Sequence, residues 1–308
     1  MIKILVTGAA GNVGSALVDS LVALPEYAVV AVDNFLTGSV AKLQNPRPNF
    51  TFIKADVNNY YEISSIMLSY RFDYVFHYAA VVGVQRTLDN PVLVLEDIQG
   101  IKNILDLSKN TGVKRVYYSS SSEVYGEPVE FPQNEQTTPL NSRLPYAVVK
   151  NVGEAFLRSY QKEYGLEYTI FRFFNTYGPR QSEDFVVSRF LKQALQGLPI
   201  TIYGSGMQTR TFCYIDDNIA TTIACLQKGL CVNDVMNVGN DEEITVKDLA
   251  AKVIEVVGSS SKIEYLPALK EGDMTRRKPD NKKMKEILQR PLISLEEGLK
   301  RTLDKRMF

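Results

Sequence analysis

Ile2-Lys-Ile-Leu-Val-Thr7-Gly8-Ala-Ala-Gly11-Asn12-Val13-Gly14 carries an apolar, β-branched run straight into a glycine-rich turn. A helical pattern follows at once, marked by Leu17, Leu21 and Leu24. Strand, glycine turn and helix in that order make a phosphate-binding start. Glycine permits a tight turn and close backbone approach, and the helix N-terminus presents the positive end of its dipole. The spacing is GxxGxxG rather than GxGxxG, and a loop that merely needs glycine has the same letters. The next apolar run, Ala28-Val-Val-Ala-Val-Asp33, ends in an acid at the separation expected of the residue that binds a dinucleotide ribose. Asn34 stands where a 2′-phosphate binder would want arginine, so the pattern favours NAD over NADP.

Outward from this start the pattern repeats. Strands are predicted at 50–56, 74–80, 115–120 and 168–174, with helices at 58–70, 91–109 and 146–163. Strands alternating with helices predict an α/β fold, a Rossmann-type doubly wound parallel sheet covered on both faces. Its ligands bind beyond the carboxyl ends of the strands, where the serine run Ser119 to Ser122 lies. From about 180 the alternation loosens, with helices near 184–196, 217–228 and 245–257, two more at the C-terminus, and short strands between. This gives an NAD-binding domain over 1–180 and a smaller substrate-binding lobe over 181–308, with part of 211–240 rejoining the sheet.

Composition narrows the field. The 308 residues include 35 basic and 35 acidic side chains, so net charge gives no reason to expect nucleic acid or an anionic membrane as partner. No charged leader precedes the first strand and no apolar run reaches the length of a membrane span, which predicts a cytoplasmic protein. Cys213, Cys225 and Cys231 are odd in number and form no CxxC, which predicts reduced thiols. The single histidine, His77, excludes a multi-histidine metal site, and no metal is expected.

Tyr146-Ala-Val-Val-Lys150 lies on the helix predicted at 146–163. Four residues apart on a helix, a phenol and an ammonium share one face. A cation within about 4–6 Å favours the phenolate, which makes the tyrosine a base for an alcohol proton. An ordinary amphipathic face has the same spacing, so the pair takes its meaning from the rest of the chain.

The chain resembles the extended short-chain dehydrogenase/reductases, in particular their NAD-dependent nucleotide-sugar epimerases, dehydratases and decarboxylases. The resemblance spans essentially the whole chain. It rests on Thr7 to Gly14, Asp33, Asp56-Val57, His77-Tyr-Ala-Ala80, Ser120-Ser-Ser-Glu-Val-Tyr-Gly126, Tyr146 with Lys150, Arg172-Phe-Phe-Asn-Thr-Tyr-Gly-Pro-Arg180, Tyr203-Gly-Ser-Gly-Met-Gln-Thr-Arg210 and Arg276-Arg-Lys-Pro-Asp280. It implies that Tyr146 is the general base on the sugar 4-hydroxyl, that Lys150 holds the nicotinamide ribose and lowers the tyrosine pKa, and that Ser121 shares the hydrogen bond, with Ser122 and Glu123 beside it. Gly8, Gly11, Asn12, Val13, Gly14, Asp33, Asn34, Asp56 and Val57 would hold NAD, although an N-cap for the 58–70 helix explains Asp56 equally well. Asn175, Arg210 and Arg277 would meet the diphosphate or sugar of a nucleotide-sugar substrate, a UDP-sugar on this resemblance, while His77 is structural. A homodimer built from the helices at 91–109 and 146–163 is also implied.

One oxidation at C4 can end in several products, and the residues point in different directions. Glu123 resembles the decarboxylases and dehydratases, whereas many epimerases have a small neutral residue there. Ser122 replaces the aspartate usual in 4,6-dehydratases, and Arg277-Lys-Pro-Asp280 is decarboxylase-like. Ala79 to Arg86 lacks the proline-containing loop of UDP-xylose synthases and looks like an epimerase. The expectation is C4 epimerisation of a UDP-sugar, such as a UDP-hexuronate. UDP-glucuronate decarboxylation comes next, then 4,6-dehydration, and last a non-enzymatic NAD-binding regulator.

Overall fold

Alternate residues of the first strand feed two different cores. In β1 (Ile2–Thr7), Ile4 and Val6 join one apolar cluster and Leu5 the other. β2 (Tyr27–Asp33) does the same, with Val29 and Ala31 set against Val30 and Val32. A period of two with both faces apolar belongs to a parallel sheet buried on both sides. The computed structural model describes residues 1–43, 47–268 and 276–305.

β3 (Phe50–Lys54), β4 (Tyr74–His77), β5 (Arg115–Ser121) and β6 (Glu167–Phe173) extend this sheet. Four short strands follow, β7 (Thr176–Tyr177), β8 (Ile200–Tyr203), β9 (Thr209–Thr211) and β10 (Cys213–Tyr214), before β11 (Asp234–Val238) returns to pair with β6. The sheet order is β11-β6-β5-β4-β1-β2-β3, every pair parallel. Outside it, β10 pairs with β7, β12 (Glu243–Thr245) with β9, and β13 (Ile263–Leu266) with β8. The chain winds outward from β1 through β2 to β3, then crosses to β4 on the other flank of β1. That reversal is the switch point at which such sheets bind ligands.

Ten helices are described: α1 (Asn12–Val22), α2 (Tyr60–Tyr70), α3 (Val84–Asp89), α4 (Pro91–Thr111), α5 (Pro145–Tyr164), α6 (Val186–Leu195), α7 (Ile215–Gln227), α8 (Val246–Val257), α9 (Lys282–Leu288) and α10 (Leu295–Asp304). α1 and α7 pack together on one face of the sheet, and α2, α4 and α5 on the other. α4 and α5 each start with proline in the first turn and stop at a left-handed glycine, Gly112 and Gly165, as capping chemistry favours. Among the described residues no helix is long and apolar enough to cross a membrane. The three cysteines are free, Cys213 and Cys225 buried and Cys231 partly exposed.

Two expectations need correction. The strand expected over 74–80 ends at His77, and α3 forms in the stretch beyond it, too short for a periodic signal. Asn59 rather than Asp56 caps α2, its side chain accepting from Tyr61 N at 3.1 Å.

One buried polar network joins the sheet to the loops above it. Arg172 on β6 donates to Glu154 on α5 through Nε at 2.8 Å and Nη2 at 2.7 Å, and both residues are at most 1% exposed. Ser120 on β5 donates to the same carboxylate at 2.7 Å. Arg172 Nη1 reaches Tyr125 OH at 2.8 Å, and that hydroxyl donates to Asn237 on β11 at 2.7 Å. Removing one member of such a pair leaves a charge stranded without solvent. Glu154→Gln is expected to cost about 3–5 kcal/mol in urea unfolding; a loss under about 1 kcal/mol, the worth of a surface pair, would contradict the network's role.

Candidate active site

A cavity of about 440 Å³ opens across the carboxyl ends of the central strands, and most of the expected site residues line it. Its floor is the glycine turn after β1. Gly8 has φ +67°, and a Cβ there would lie 2.6 Å from the backbone of Tyr78 and Ala79. A Cβ on Gly14 would lie 2.1 Å from Gly8 O, so the turn and the first turn of α1 touch backbone to backbone. Gly11 precedes α1 without any side-chain cap, and the N–H groups of the first turn are left to a ligand. Asn12 and Val13 begin the helix and line the cavity.

Asp33 closes β2 beside this turn. Its Oδ2 accepts from Ala10 N at 2.9 Å and its Oδ1 from Phe35 N at 2.7 Å, which fixes the carboxylate at the cavity wall. Asn34 donates to Asp56 Oδ2 at 3.1 Å, joining the ends of β2 and β3, and Val57 lines the wall next to them. A bare helix N-terminus with an anchored acid on the neighbouring strand fits the pyrophosphate and ribose of a dinucleotide.

Opposite lies the Ser-Tyr-Lys set. Ser121 ends β5, and its Oγ accepts from Glu123 N at 3.2 Å, starting a tight turn over Ser122–Tyr125. Tyr146 stands in the first turn of α5, near enough to Ser121 for the serine to favour its phenolate. Lys150 Nζ lies 5.7 Å from the Tyr146 ring centre and 3.4 Å from Ser119 Oγ. Burial holds the Lys150 ammonium down at about 8, with Asp97 opposing. The expected lowering of the tyrosine is not found. Burial and the carboxylates of Glu123 and Asp97 push Tyr146 well above the usual phenol range, outweighing Ser121 and Arg277. Without ligand this side chain is a phenol.

Glu123 and Arg277 form an ion pair at 2.7 Å inside the cavity. Arg277 is 5% exposed, and its segment is tied down by Gln133, whose N donates to Lys278 O at 2.7 Å and whose O accepts from Asp280 N at 2.8 Å. The second Glu123 oxygen is buried and has no hydrogen-bond partner among the described residues. Ser122, 2% exposed, lines the same wall. Asn175 also lines the cavity, held in a left-handed conformation at φ 36° with its Nδ2 donating to Thr211 O at 2.9 Å. Arg210 does not reach the cavity lining; its Nη1 donates to Thr209 O at 2.8 Å. His77 shares a 2.9 Å hydrogen bond with Thr7 Oγ1, and burial lowers it to about 3, so it is a neutral pin between β1 and β4.

Among the lining residues that were not expected are an acid on α4 and a base on α3. Asp97 on α4 accepts from Val81 N at 2.7 Å, and Arg86 on α3 pairs with Asp184 at 3.0 Å near the cleft. A signal existed for Asp97: it interrupts the apolar spacing Val94, Ile101, Ile104 along α4.

The family model described as NAD dependent epimerase/dehydratase family matches residues 4–239. UDP-glucuronic acid decarboxylase 1 of Danio rerio is 36% identical over 98% of this chain and 72% of its own length. UDP-glucose 4-epimerase of Thermotoga maritima, solved with UDP-glucose, superposes with a TM-score of 0.92 at 35% identity, covering 99% of this chain and 98% of that one. UDP-glucuronic acid 4-epimerase of Bacillus cereus, solved with UDP-glucuronic acid and NAD, has a TM-score of 0.90 at 33% identity over 99% of this chain and 98% of its own. A profile matched over most of the chain, and a relative more than one-third identical along nearly all of it, put this protein in the NAD dependent epimerase/dehydratase family.

Proposed function

We propose that this protein decarboxylates UDP-glucuronate through transient oxidation at C4 of the sugar. The observation that carries this reading is the Glu123–Arg277 pair in the cavity that also holds Tyr146. In the proposed complex Gly8, Gly11, Asn12, Val13 and Gly14 surround the NAD diphosphate. Asp33 and Asn34 take the adenosine ribose, Asp56 and Val57 the adenine, and Lys150 the nicotinamide ribose. Bound there, NAD would supply the redox chemistry, as the reversible acceptor of the C4 hydride.

The chain's own groups handle protons and charge. Tyr146, linked to Ser121, takes the proton of the C4 hydroxyl and gives it back at the end. Once C4 is a ketone, the C6 carboxylate stands β to it and can leave as carbon dioxide, its bonding electrons passing into the carbonyl. C5 then takes up a proton. Arg277 presents a fork suited to a carboxylate or a phosphate. Glu123 sets a carboxylate beside it, and a sugar carboxylate so close to another is favoured to depart as a neutral molecule. Asn175 joins the substrate set; Arg210 is left out of it because it does not line the cavity.

The curated relative named as a decarboxylase supports this reading over the epimerase expectation. C4 epimerisation of a UDP-sugar is the second reading, favoured by the likeness of the whole structure to two 4-epimerases. Elimination across C5 and C6 would want an acid where the neutral Ser122 stands.

UDP-glucuronate followed by proton NMR is expected to give a UDP-pentose with release of carbon dioxide. A UDP-galacturonate product with no carbon lost would replace this proposal by the second reading. Tyr146→Phe is expected to lower kcat by about 10²–10⁴-fold, and an unchanged rate would remove the tyrosine from the mechanism. Lysine loses its proton as pH rises, so kcat/KM should fall as pH passes about 8; a rate that climbs steadily to pH 10 would show that Lys150 is not needed as a cation.

A further inference from the structure

A nucleotide sugar brings two phosphates to a protein whose 35 basic and 35 acidic side chains leave no overall field to draw them, so the counter-charge has to stand at the cavity itself. Among the described residues four cationic side chains line that cavity: Lys42, Arg86, Lys150 and Arg277. Lys42 follows Asp33 and Asn34 on the cofactor side, Lys150 stands with Ser119 beside Tyr146, and Arg277 is paired with Glu123. Arg86 has no part in the chemistry described so far. We propose that Arg86 receives the diphosphate of the substrate, and that Asp184 holds its guanidinium at the rim of the cavity until that anion arrives. The proposal rests on the reading of the substrate as a nucleotide sugar.

The pair joins two separate stretches of the cavity lining. Val82, Gly83 and Arg86 line it from the stretch that leaves β4 for α3, and Gln181, Ser182 and Phe185 from the stretch that leads into α6. Arg86 Nη2 donates to Asp184 Oδ2 at 3.0 Å, and the same oxygen accepts from Ser182 Oγ at 3.0 Å. Arg86 Nη1 donates to Val82 O at 2.8 Å. Gly83, at φ +106°, leaves room for this arrangement, because a Cβ there would lie 3.2 Å from Arg86 Nη1 and 3.5 Å from Asp184 Oδ2. The guanidinium is thus anchored at Nη1 by its own segment, while Nη2 and its acid stand where the side chains are 35% and 42% exposed. Exposure decides the contest. An ion pair open to water and salt is weak, whereas a guanidinium fork on phosphate oxygens forms charge-assisted hydrogen bonds with matched geometry. The diphosphate can therefore take Nη2 from Asp184 without breaking the bond to Val82 O.

With NAD present at saturation, calorimetric titration with UDP and with inorganic pyrophosphate reads this site without any turnover. Arg86→Gln is expected to weaken both ligands by about ten- to a hundredfold, the worth of a hydrogen bond to a charged group, with Arg86→Lys between it and wild type. Asp184→Asn is expected to tighten both by about two- to fivefold, because the competing carboxylate is gone and the exposed pair it made was weak. Opposite directions are the signature. A pair that only ties two loops together would weaken binding in both variants. Asp184→Asn binding no tighter than wild type overturns the proposal, as does unchanged affinity in Arg86→Gln, or a wild-type protein that binds neither ligand. Pyrophosphate binding that depends on Arg86, in a protein that binds neither UDP nor any UDP-sugar, leaves this inference standing and removes the proposed function.

Discussion

Three consecutive serines on β5 meet three positions of α5 spaced one helical turn apart, and this register governs the rest of the site. Ser119 meets Lys150, Ser120 meets Glu154 and Ser121 meets Tyr146. The middle contact is the structural one, because Glu154 is locked to Arg172 in a dry interior. A slide of α5 by one residue would break that charge pair and misplace the tyrosine and the lysine together. The geometry of the candidate site and the stability of the fold thus depend on one register, and a bidentate guanidinium has the directional precision to hold it.

Much of this was legible in the sequence, for local reasons. The glycine turn declares itself because Gly8 and Gly14 sit where backbones touch, and no other residue fits. Asp33 was legible because it terminates an apolar strand, and Tyr146 with Lys150 because helical spacing fixes a shared face. What escaped is tertiary. Arg277 meets Glu123 only because residues 276–280 are pinned to Gln133, a contact with no sequence signature. The direction of the Tyr146 shift depends on burial and on two carboxylates from other elements, which spacing cannot supply. Arg210 carried a motif around it, yet its position in β9 leaves it outside the cavity lining.

The competing outcomes share one oxidising centre and differ in what surrounds the far end of the sugar. In the proposed mechanism the Ser-Tyr-Lys set and the glycine turn would serve any nucleotide sugar oxidised at C4. On the proposed reading, the Glu123–Arg277 pair is the feature that bears on C6, where a decarboxylase and an epimerase must differ. Fold likeness is high to epimerases, while one curated relative is named a decarboxylase, and both agree with a shared scaffold whose outcome is set by few side chains.

The return of β11 to the flank of β6 has a consequence for how this chain is made. Until residues 234–238 leave the ribosome, β6 is an unpaired sheet edge, with Ile170 and Phe171 along a strand that ends fully buried. Such an edge is a template for pairing with other chains. The first 180 residues therefore do not form a finished folding unit: the element that covers their exposed border is encoded after a segment, β7 to β10, that adds no strand to this sheet.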